Sequence, residues 1–271
     1  MPELPEVETS CRGIRPHISG QKVDRLLIRE NRLRWPIDKK LPGILSQQKL
    51  HQVDRRSKYI LLRFDNGVLA IHLGMSGSLR ILNRDSPPGK HDHVDLLFSN
   101  GILLRYHDPR RFGAWVWIEG DLVRHKLFEH LGPEPLSGAF DGVYLFQRSR
   151  KRKVAIKQLI MNAEFVVGVG NIYANEALFA AGIHPEREAG KVSRQKCDIL
   201  VKEIKRILES AINQGGTTLK DFQNPAGNPG YFVQKLQVYG KKGELCPVCN
   251  QTLKEVRINN RSTVFCSKCQ K

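Results

Sequence analysis

The sequence predicts an α+β protein of several domains: an N-terminal helix with a β-sandwich or barrel, then a helical region, then a C-terminal β-hairpin. Three observations predict this fold class. Apolar residues near the start recur at helical spacing, and seven short strand-like segments follow before residue 120. Helical periodicity returns after residue 150.

The N-terminal helix is predicted from one apolar stripe. Its members follow one another at intervals of four, three and four residues: Val7, Cys11, Ile14 and Ile18. The helix is expected to end near Gly20. Pro5 suits its first turn, where a missing N–H loses no hydrogen bond. Helix formation does not explain Pro2, which comes before it.

Short segments of alternating or apolar character predict the β-sandwich. They span residues 22–30, 59–64, 68–73, 78–82, 93–99, 102–107 and 112–118. Turn-forming residues separate two pairs of them, at Asp65-Asn66-Gly67 and at Asn100-Gly101. We therefore expect hairpins at these two places.

A change of amino-acid composition predicts the end of the first domain. Glycine, proline and serine accumulate over residues 131–142, where the strand pattern stops. Helices are expected over the segments that follow, at residues 151–162, 171–181 and 193–213. Residues 215–235 are rich in Gly, Asn and Pro and are expected to form a long, functional loop.

The charge of the chain indicates a polyanionic partner. Lys and Arg number 44 against 27 Asp and Glu, which gives a net charge of +17 and a pI near 9.8. No apolar run approaches the roughly 20 residues that span a bilayer, and the N-terminus lacks a secretory signal. We expect a protein of the cytosol, in a bacterium or an organelle, where thiols stay reduced.

Two cysteine pairs near the C-terminus predict a structural zinc site. Cys246 and Cys249 form one CxxC pair, and Cys266 and Cys269 form a second one sixteen residues later. Four thiolates complete a closed tetrahedral site, so the ion is expected to stabilise structure and to perform no chemistry. The segment between the pairs reads as a β-hairpin whose tip comprises residues 259–262.

The other two cysteines, Cys11 and Cys197, lie on predicted helices and are expected in the core. A basic protein with a zinc finger is, on these features alone, a nucleic-acid-binding module. Catalysis does not follow from composition or spacing.

Ten motifs are distributed along almost the whole chain. They are PELPEVE (2–8), RRSKY (55–59), HLGMSGSLRI (72–81), KHDHVD (90–95), DPRRFGAW (108–115), LGPEPL (131–136), VVGVGNIYANE (166–176), AAGIHP (180–185), QGGTTLKDF (214–222) and LQVYGKKGE (236–244). The sequence resembles the formamidopyrimidine-DNA glycosylases of the Fpg/MutM type.

The resemblance implies a fold that agrees with the prediction from the residues. The family places an N-terminal helix on a β-sandwich, followed by a helix-two-turn-helix domain and a C-terminal zinc-finger β-hairpin. It implies a catalytic domain over 1–131, a DNA-binding domain with a lesion-recognition loop over 132–235, and a zinc finger over 236–271. A monomer with one structural Zn²⁺ is expected.

The resemblance also implies the catalytic residues. In the family, removal of Met1 frees the nitrogen of Pro2, which becomes the nucleophile, and Glu3 matches the acid/base carboxylate. Lys58 matches the lysine of β-elimination, and Arg261 matches the arginine of δ-elimination.

Further positions match residues that the family uses to bind DNA. They are His72, Met75, His91, Arg110, Phe112, Arg152, Lys157 and Asn171. Met75, Arg110 and Phe112 match the trio that fills the void left by a base flipped out of the duplex. Many relatives carry Lys at the position of Arg152. The loop of residues 216–231 matches the region that covers the flipped base.

The implied function is a bifunctional DNA glycosylase and AP lyase. It would excise 8-oxoguanine and formamidopyrimidines from double-stranded DNA of the bacterial nucleoid and cleave abasic sites by β,δ-elimination. An endonuclease VIII-type enzyme for oxidised pyrimidines is the first alternative, although PELPEVE and the Met75, Arg110 and Phe112 trio favour the purine branch. The second is a zinc-dependent DNA-binding protein without catalysis.

Overall fold

The computed structural model of the chain describes residues 2–216 and 235–271. Two compact units make up this part of the chain. The first contains residues 2–129 and 214–216, and the second contains residues 130–213 and 235–271. The three domain limits given above stay predictions.

The first unit is a helix packed on two antiparallel sheets. Its elements are α1 (Leu4–Ile18), β1 (Val23–Ile28), α2 (Leu41–Leu45), β2 (Gln52–Arg56), β3 (Tyr59–Phe64), β4 (Gly67–His72), β5 (Ser78–Asn83), β6 (Asp92–Phe98), β7 (Ile102–His107) and β8 (Ala114–Ile118). One sheet has the strand order β1-β6-β7-β5, and the other has the order β2-β3-β4-β8. The predicted β-sandwich is confirmed.

The predicted hairpins are also confirmed. Strands β3 and β4 pair from Phe64 and Gly67 outward, which leaves Asp65 and Asn66 as the two-residue turn. Strands β3 and β7 have the predicted bounds. Strand β2 was not predicted, because Val53 is its single buried residue and no alternation is visible in its sequence.

Helix α1 is held by its apolar stripe. The four predicted residues of the stripe are at most 1% exposed and belong to the core that both sheets share. The helix contacts strands β2 and β3 of one sheet and β5 and β7 of the other. Burial of a stripe of this size fixes the helix, and with it the first residues of the chain.

A buried ion pair lies in the sheet that contains β6 and β7. Arg105 is 2% exposed, and its guanidinium donates to both carboxylate oxygens of Asp95 at 2.8 Å. The same guanidinium donates to the carbonyls of Ser86 and Pro87, at 2.9 and 2.8 Å. Arg105 therefore ties the loop between β5 and β6 to the sheet.

The second unit is helical and carries one hairpin. Its elements are α3 (Gly142–Ser149), α4 (Ile156–Ile160), α5 (Asn171–Ala180), α6 (Arg194–Asn213), β9 (Lys254–Ile258) and β10 (Arg261–Phe265). Helices α5 and α6 and the hairpin were predicted, and they are confirmed. Cys11 on α1 and Cys197 on α6 are both fully buried, as expected.

One expectation for the second unit was wrong, and one helix was not predicted. The helix predicted over 151–162 is restricted to α4, because Lys151 has a left-handed backbone with φ of +61° and the N–H of Ile156 pairs with the carbonyl of Arg187. The helix that was not predicted is α3, which begins at Gly142, the last residue of the segment that marks the end of the first domain. Asp141 caps it by accepting a hydrogen bond from the N–H of Tyr144 at 2.7 Å.

The long loop predicted over 215–235 lies outside the described residues, apart from positions 215, 216 and 235. Within residues 2–216 and 235–271, no helix has the length and apolar character needed to cross a membrane.

Replacing Ile14 by alanine is expected to destabilise the first unit by about 2–5 kcal/mol, because a fully buried side chain leaves a cavity under helix α1. Urea unfolding followed by circular dichroism measures the change. The control is Arg12→Ala on the same helix, which removes an exposed pair with Glu8 and should cost about 0.5 kcal/mol or less. Equal losses for the two variants would contradict a packed stripe.

Candidate active site and nucleic-acid interface

The first residues of the chain are fixed at the N-terminus of α1. Pro2 is buried and Glu3 is 3% exposed. Glu3 occupies the N-cap position and forms a capping box with Glu6, in which each side chain accepts a hydrogen bond from the N–H of the other residue. The N–H of Glu3 donates to Glu6 Oε2 at 2.8 Å. A capping interaction of this kind stabilises a helix by about 1 kcal/mol. The capping box therefore fixes the candidate acid/base, Glu3, at the helix start directly after the candidate nucleophile, Pro2.

The segment after α6 also reaches this helix start. Gly216 has a φ of +83°, and a Cβ atom at this position would lie 3.1 Å from Glu6 Oε1. A glycine is favoured here both by the left-handed backbone and by the close contact.

Lys58 lies in the tight turn between β2 and β3. Ser57 before it has a left-handed backbone with φ of +55°. Arg55 donates to the carbonyl of Ser57 at 2.9 Å and pairs with Glu8 of α1 at 3.1 Å. Arg55 thereby fixes the turn that carries Lys58 to the helix that carries Pro2 and Glu3.

His72 ends strand β4 directly opposite Tyr59, the residue that follows Lys58. Burial first, and then the positive charges of Lys58 and Arg34, lower the pKa of His72 to about 4. Its Nδ1 accepts a hydrogen bond from the N–H of Gly74 at 2.9 Å. The neutral ring therefore has its proton on Nε2 and can donate a hydrogen bond to an anion.

The three candidate void-filling residues lie on two loops with their side chains exposed. Met75 is 38% exposed and Phe112 is 47% exposed, although strand residues of these types are usually buried. The guanidinium carbon of Arg110 lies 5.0 Å from the ring centre of Phe112. Arg111 between them has a left-handed backbone, with φ of +56°, which turns the chain so that its two neighbours lie side by side.

His91 is half-buried just before β6. Its ring lies edge-to-face with those of His93 and His107, at centroid distances of 6.3 and 5.9 Å. Asp92, the next residue, accepts hydrogen bonds from His107 and from the N–H of Gly89, at 2.8 and 2.7 Å. The segment that presents His91 is therefore held on both sides.

In the second unit, Lys157, which matches a DNA-binding position of the family, is buried. It is 1% exposed. Its ammonium donates to Asn171 Oδ1 at 2.6 Å, to Thr263 Oγ1 at 2.7 Å and to the carbonyl of Ser262 at 3.2 Å. Burial of an ammonium needs such partners. In this structure Lys157 connects α4 to α5 and to the hairpin, so a phosphate contact by Lys157 would require this cluster to open.

Asn171 is the first residue of α5, after the N-cap Gly170. Its side chain accepts from Lys157 and donates to the carbonyl of Ser262 at 3.1 Å. A helix N-terminus attracts anions through its unpaired N–H groups. The hairpin and this helix end are thus held together beside Arg261, which is exposed.

Arg261 follows a tight turn at the hairpin tip. Asn259 and Asn260 both have left-handed backbones, with φ of 49° and 57°, as in a type I′ turn. Arg261 pairs with Ile258 in the hairpin. Arg152 is likewise exposed, on the extended segment before α4, where its N–H and carbonyl pair with Ser149 and Gly190.

The four predicted cysteines converge on one point. Their sulfur atoms all lie within 4.8 Å of one another, with Cys249 and Cys266 at 3.4 Å and Cys246 and Cys269 at 3.9 Å. Zn–S bonds of about 2.3 Å in a tetrahedron place sulfurs about 3.8 Å apart. The residues therefore fit Zn²⁺.

Two buried acids near these sites were not predicted. Glu176 is 4% exposed, and its carboxylate accepts from the N–H groups of Gln237, Val238 and Tyr239 at 2.8–3.0 Å. It thereby holds the segment that leads into the zinc finger. Its sequence signal is an acid within the mostly apolar helix α5. The second buried acid is Asp108, and its sequence signal is its position directly after the buried strand β7.

Models of three domain families match the chain. Residues 1–115 match the formamidopyrimidine-DNA glycosylase N-terminal domain, 131–223 match the formamidopyrimidine-DNA glycosylase H2TH domain, and 243–271 match the zinc finger found in FPG and IleRS.

Curated relatives agree over the full length. The formamidopyrimidine-DNA glycosylases of Photobacterium profundum and Escherichia coli are 57% and 55% identical to this chain, and each match covers 100% of both chains. Solved complexes of the Lactococcus lactis protein with DNA that contains an abasic site or N7-benzyl-Fapy-dG have TM-scores of 0.92, at 34% identity and 100% coverage of both chains.

Together these domains define a zinc-containing DNA glycosylase of base excision repair. The chain belongs to the formamidopyrimidine-DNA glycosylase family. Its four C-terminal cysteines bind one structural zinc ion.

His72 is expected to stay neutral throughout the physiological range. Because its folded pKa of about 4 lies below the usual 6.5, the unfolded chain binds more protons between these values. Its contribution to stability is therefore lost as the pH falls through that window. Imidazole ¹⁵N shifts measured by NMR should not change between about pH 5.5 and 8. A titration centred near 6.5 would contradict the burial of the ring.

Cys249→Ser is expected to abolish zinc binding and to unfold the hairpin, because structural zinc supplies about 10–16 kcal/mol to domains of this kind. Metal analysis and amide hydrogen exchange of β9 and β10 measure both effects. Cys197→Ala is the control, since this cysteine is buried in α6 and should leave the zinc content unchanged. Full protection of the hairpin without zinc would disprove the structural role.

Proposed function

We propose that the chain excises oxidised purines, chiefly 8-oxoguanine and formamidopyrimidines, and then cleaves the strand with Pro2 as the nucleophile. The observation that supports this most directly is the start of α1. Pro2 and Glu3 are buried and fixed by the mutual hydrogen bonds of Glu3 and Glu6. Helix capping alone does not call for a proline before the N-cap.

The chemistry depends on removal of Met1. Within a peptide bond the nitrogen of Pro2 is an unreactive amide, but when freed it is a secondary amine with a pKa typical of terminal amines, about 8. Its lone pair attacks C1′ of the damaged nucleotide, the C1′–N bond breaks, and the base leaves. Glu3 protonates the ring oxygen of the sugar, which opens to give a cationic iminium between Pro2 and C1′.

Strand cleavage follows from the iminium. Because Pro2 is a secondary amine, the iminium nitrogen carries no N–H proton that it could lose. The iminium therefore keeps its positive charge and acidifies the hydrogens at C2′. Loss of one of them expels the 3′ phosphate, which is β-elimination, and a second elimination expels the 5′ phosphate. We assign Lys58 to the first elimination and Arg261 to the second.

The proposed DNA contacts combine charge with neutral donors. His72, His91, Arg110, Arg152 and Asn171 would bind the backbone or the opposite strand. The net charge of +17 supports a polyanion as partner. We propose that the chain acts as a monomer on duplex DNA of the nucleoid, in the bacterial cytoplasm.

A second candidate substrate is an oxidised pyrimidine. The Lactococcus lactis relative has been solved with DNA containing one, at a TM-score of 0.91 and 34% identity. The sequence PELPEVE and the exposed Met75, Arg110 and Phe112 support the purine as the principal substrate. Membership of the glycosylase family argues against a non-catalytic DNA-binding protein.

Borohydride trapping tests the proposal. Protein that lacks Met1 is mixed with duplexes containing 8-oxoguanine or an oxidised pyrimidine, and borohydride reduces the iminium to a stable amine. A covalent adduct with 8-oxoguanine DNA is expected. An adduct with the pyrimidine duplex alone would select the second substrate, and no adduct with either would contradict Pro2 as the nucleophile.

Two controls connect the adduct to Pro2. Protein in which Met1 is retained, verified by mass spectrometry, should form no adduct, since its Pro2 nitrogen stays an amide. Pro2→Gly leaves a primary amine and should trap more weakly. Full trapping with Met1 in place would contradict the assignment of the nucleophile.

A further inference from the structure

A fully buried carboxylate joins the two loops that carry the exposed trio. Asp108 follows strand β7 and has no exposed surface. Its Oδ1 accepts from the hydroxyl of Ser76 at 2.9 Å. Its Oδ2 accepts from the hydroxyl of Tyr106 at 3.0 Å and from the N–H of Gly113 at 2.9 Å.

These partners come from the two loops and from strand β7, which leads into the second loop. The Met75 loop comprises residues 73–77, and the Phe112 loop comprises residues 108–113. Ser76 adjoins Met75, and Gly113 adjoins Phe112. One carboxylate therefore contacts a direct neighbour of each exposed apolar side chain.

The two loops also touch through their backbones. A Cβ atom at Gly74 would lie 2.4 Å from the carbonyl carbon of Phe112 and 2.5 Å from the nitrogen of Gly113. A Cβ atom at Gly113 would lie 1.7 Å from the hydroxyl of Tyr106. No side chain fits between the loops, so one cannot move far without the other.

Tyr106 is a dependable donor at this junction. Burial, and then the neighbouring Asp108, raise its pKa well above the usual value. Its hydroxyl therefore keeps its proton and donates to Asp108. Its ring lies 5.7 Å from that of Trp115, which anchors it in the core of the sandwich.

The backbone of Asp108 adds a third segment. Its N–H donates to the carbonyl of His91 at 3.0 Å, and its own carbonyl pairs with His93 Nε2 at 2.9 Å and with the N–H of Arg111 at 3.2 Å. Asp108 thus connects the Met75 loop, the Phe112 loop and the segment that presents His91.

We propose that Asp108 is a positioning residue for lesion extrusion, which holds the two loops as one rigid wedge so that Met75, Arg110 and Phe112 enter the duplex together. The proposal rests on the function proposed above. Because Asp108 has no exposed surface, it would act without touching DNA. It would act through Arg110, which on this proposal donates to the cytosine left without its partner, and through the two apolar side chains that fill the void.

The test compares two reactions of the same protein. The first is excision of 8-oxoguanine. The ratio of its rates opposite cytosine and opposite adenine, the base preference, reports how well Arg110 is placed. Cleavage of an abasic site in single-stranded DNA needs Pro2 and Glu3, but it involves neither an opposite base nor a void.

Asp108→Ala removes the carboxylate that accepts the three hydrogen bonds from Ser76, Tyr106 and Gly113. It is expected to reduce the preference for cytosine over adenine by about tenfold, the effect of unpairing buried donors. Single-stranded lyase activity should be unchanged. Asp108→Asn should retain the preference, because its amide oxygen can accept from Tyr106 and Gly113 while its NH₂ donates to Ser76.

Asp95→Asn is the matched control. Asp95 is a buried carboxylate of the same sheet, but it binds Arg105 and Arg29 and contacts neither loop. It should leave the base preference unchanged. If Asp108→Ala does not fold, Ser76→Ala removes one of the hydrogen bonds and should reduce the preference by about threefold.

Three outcomes would overturn the positioning role. They are an unchanged preference in the folded Asp108→Ala or Ser76→Ala variant, an equal loss of lyase activity and preference, and an equal effect of Asp95→Asn. Absence of lyase activity in the unmodified protein would instead contradict the proposed function.

Discussion

Burial of the apolar stripe of α1 between the two sheets is the constraint on which the proposed chemistry depends. A reactive terminus of a protein is ordinarily its least ordered part. Here the first helix begins within three residues of the terminus, and its stripe contacts strands of both sheets. The capping box then fixes Glu3 with respect to Glu6. The burial of the helix stripe in the hydrophobic core thus also holds the helix start, where Glu3 follows Pro2.

Buried polar side chains act as connectors in both units. Asp108 joins two loops, Arg105 holds the loop before β6, and Glu176 binds three successive backbone N–H groups. Lys157 holds the hairpin through its hydrogen bonds to Ser262 and Thr263. Each of these groups would be costly to bury alone, and each is surrounded by several hydrogen-bond partners. Loops that must present exposed apolar or charged side chains are thereby kept in place without a large core of their own.

The sequence was informative where periodicity is local. Strands β3 and β7, the stripe of α1 and helices α5 and α6 follow from spacing alone, and the cysteine pairs predict the zinc site. Strand β2 is missed because it buries one side chain, and residues 151–155 are not helical because their backbone pairs with residues distant in sequence. Motifs indicated the catalytic candidates Pro2 and Glu3, which no periodicity could identify.

The interior of the candidate sites could not be predicted for a related reason. Lys157 is separated by 105 and 106 positions from its hairpin partners, so nothing local distinguishes it from a surface lysine. Ser76 and Asp108 are 32 positions apart. The exposure of Met75 and Phe112 likewise depends on how two loops meet.

The left-handed backbone of Arg111 limits how this region can vary during evolution. Its φ of +56° is what places Arg110 beside Phe112, and its guanidinium pairs with Glu30 at 3.1 Å. Asparagine, aspartate or glycine adopts this conformation readily, whereas β-branched residues and proline do not. Substitution at position 111 is therefore restricted by backbone geometry as well as by the pair with Glu30, and the side-by-side arrangement of Arg110 and Phe112 depends on both.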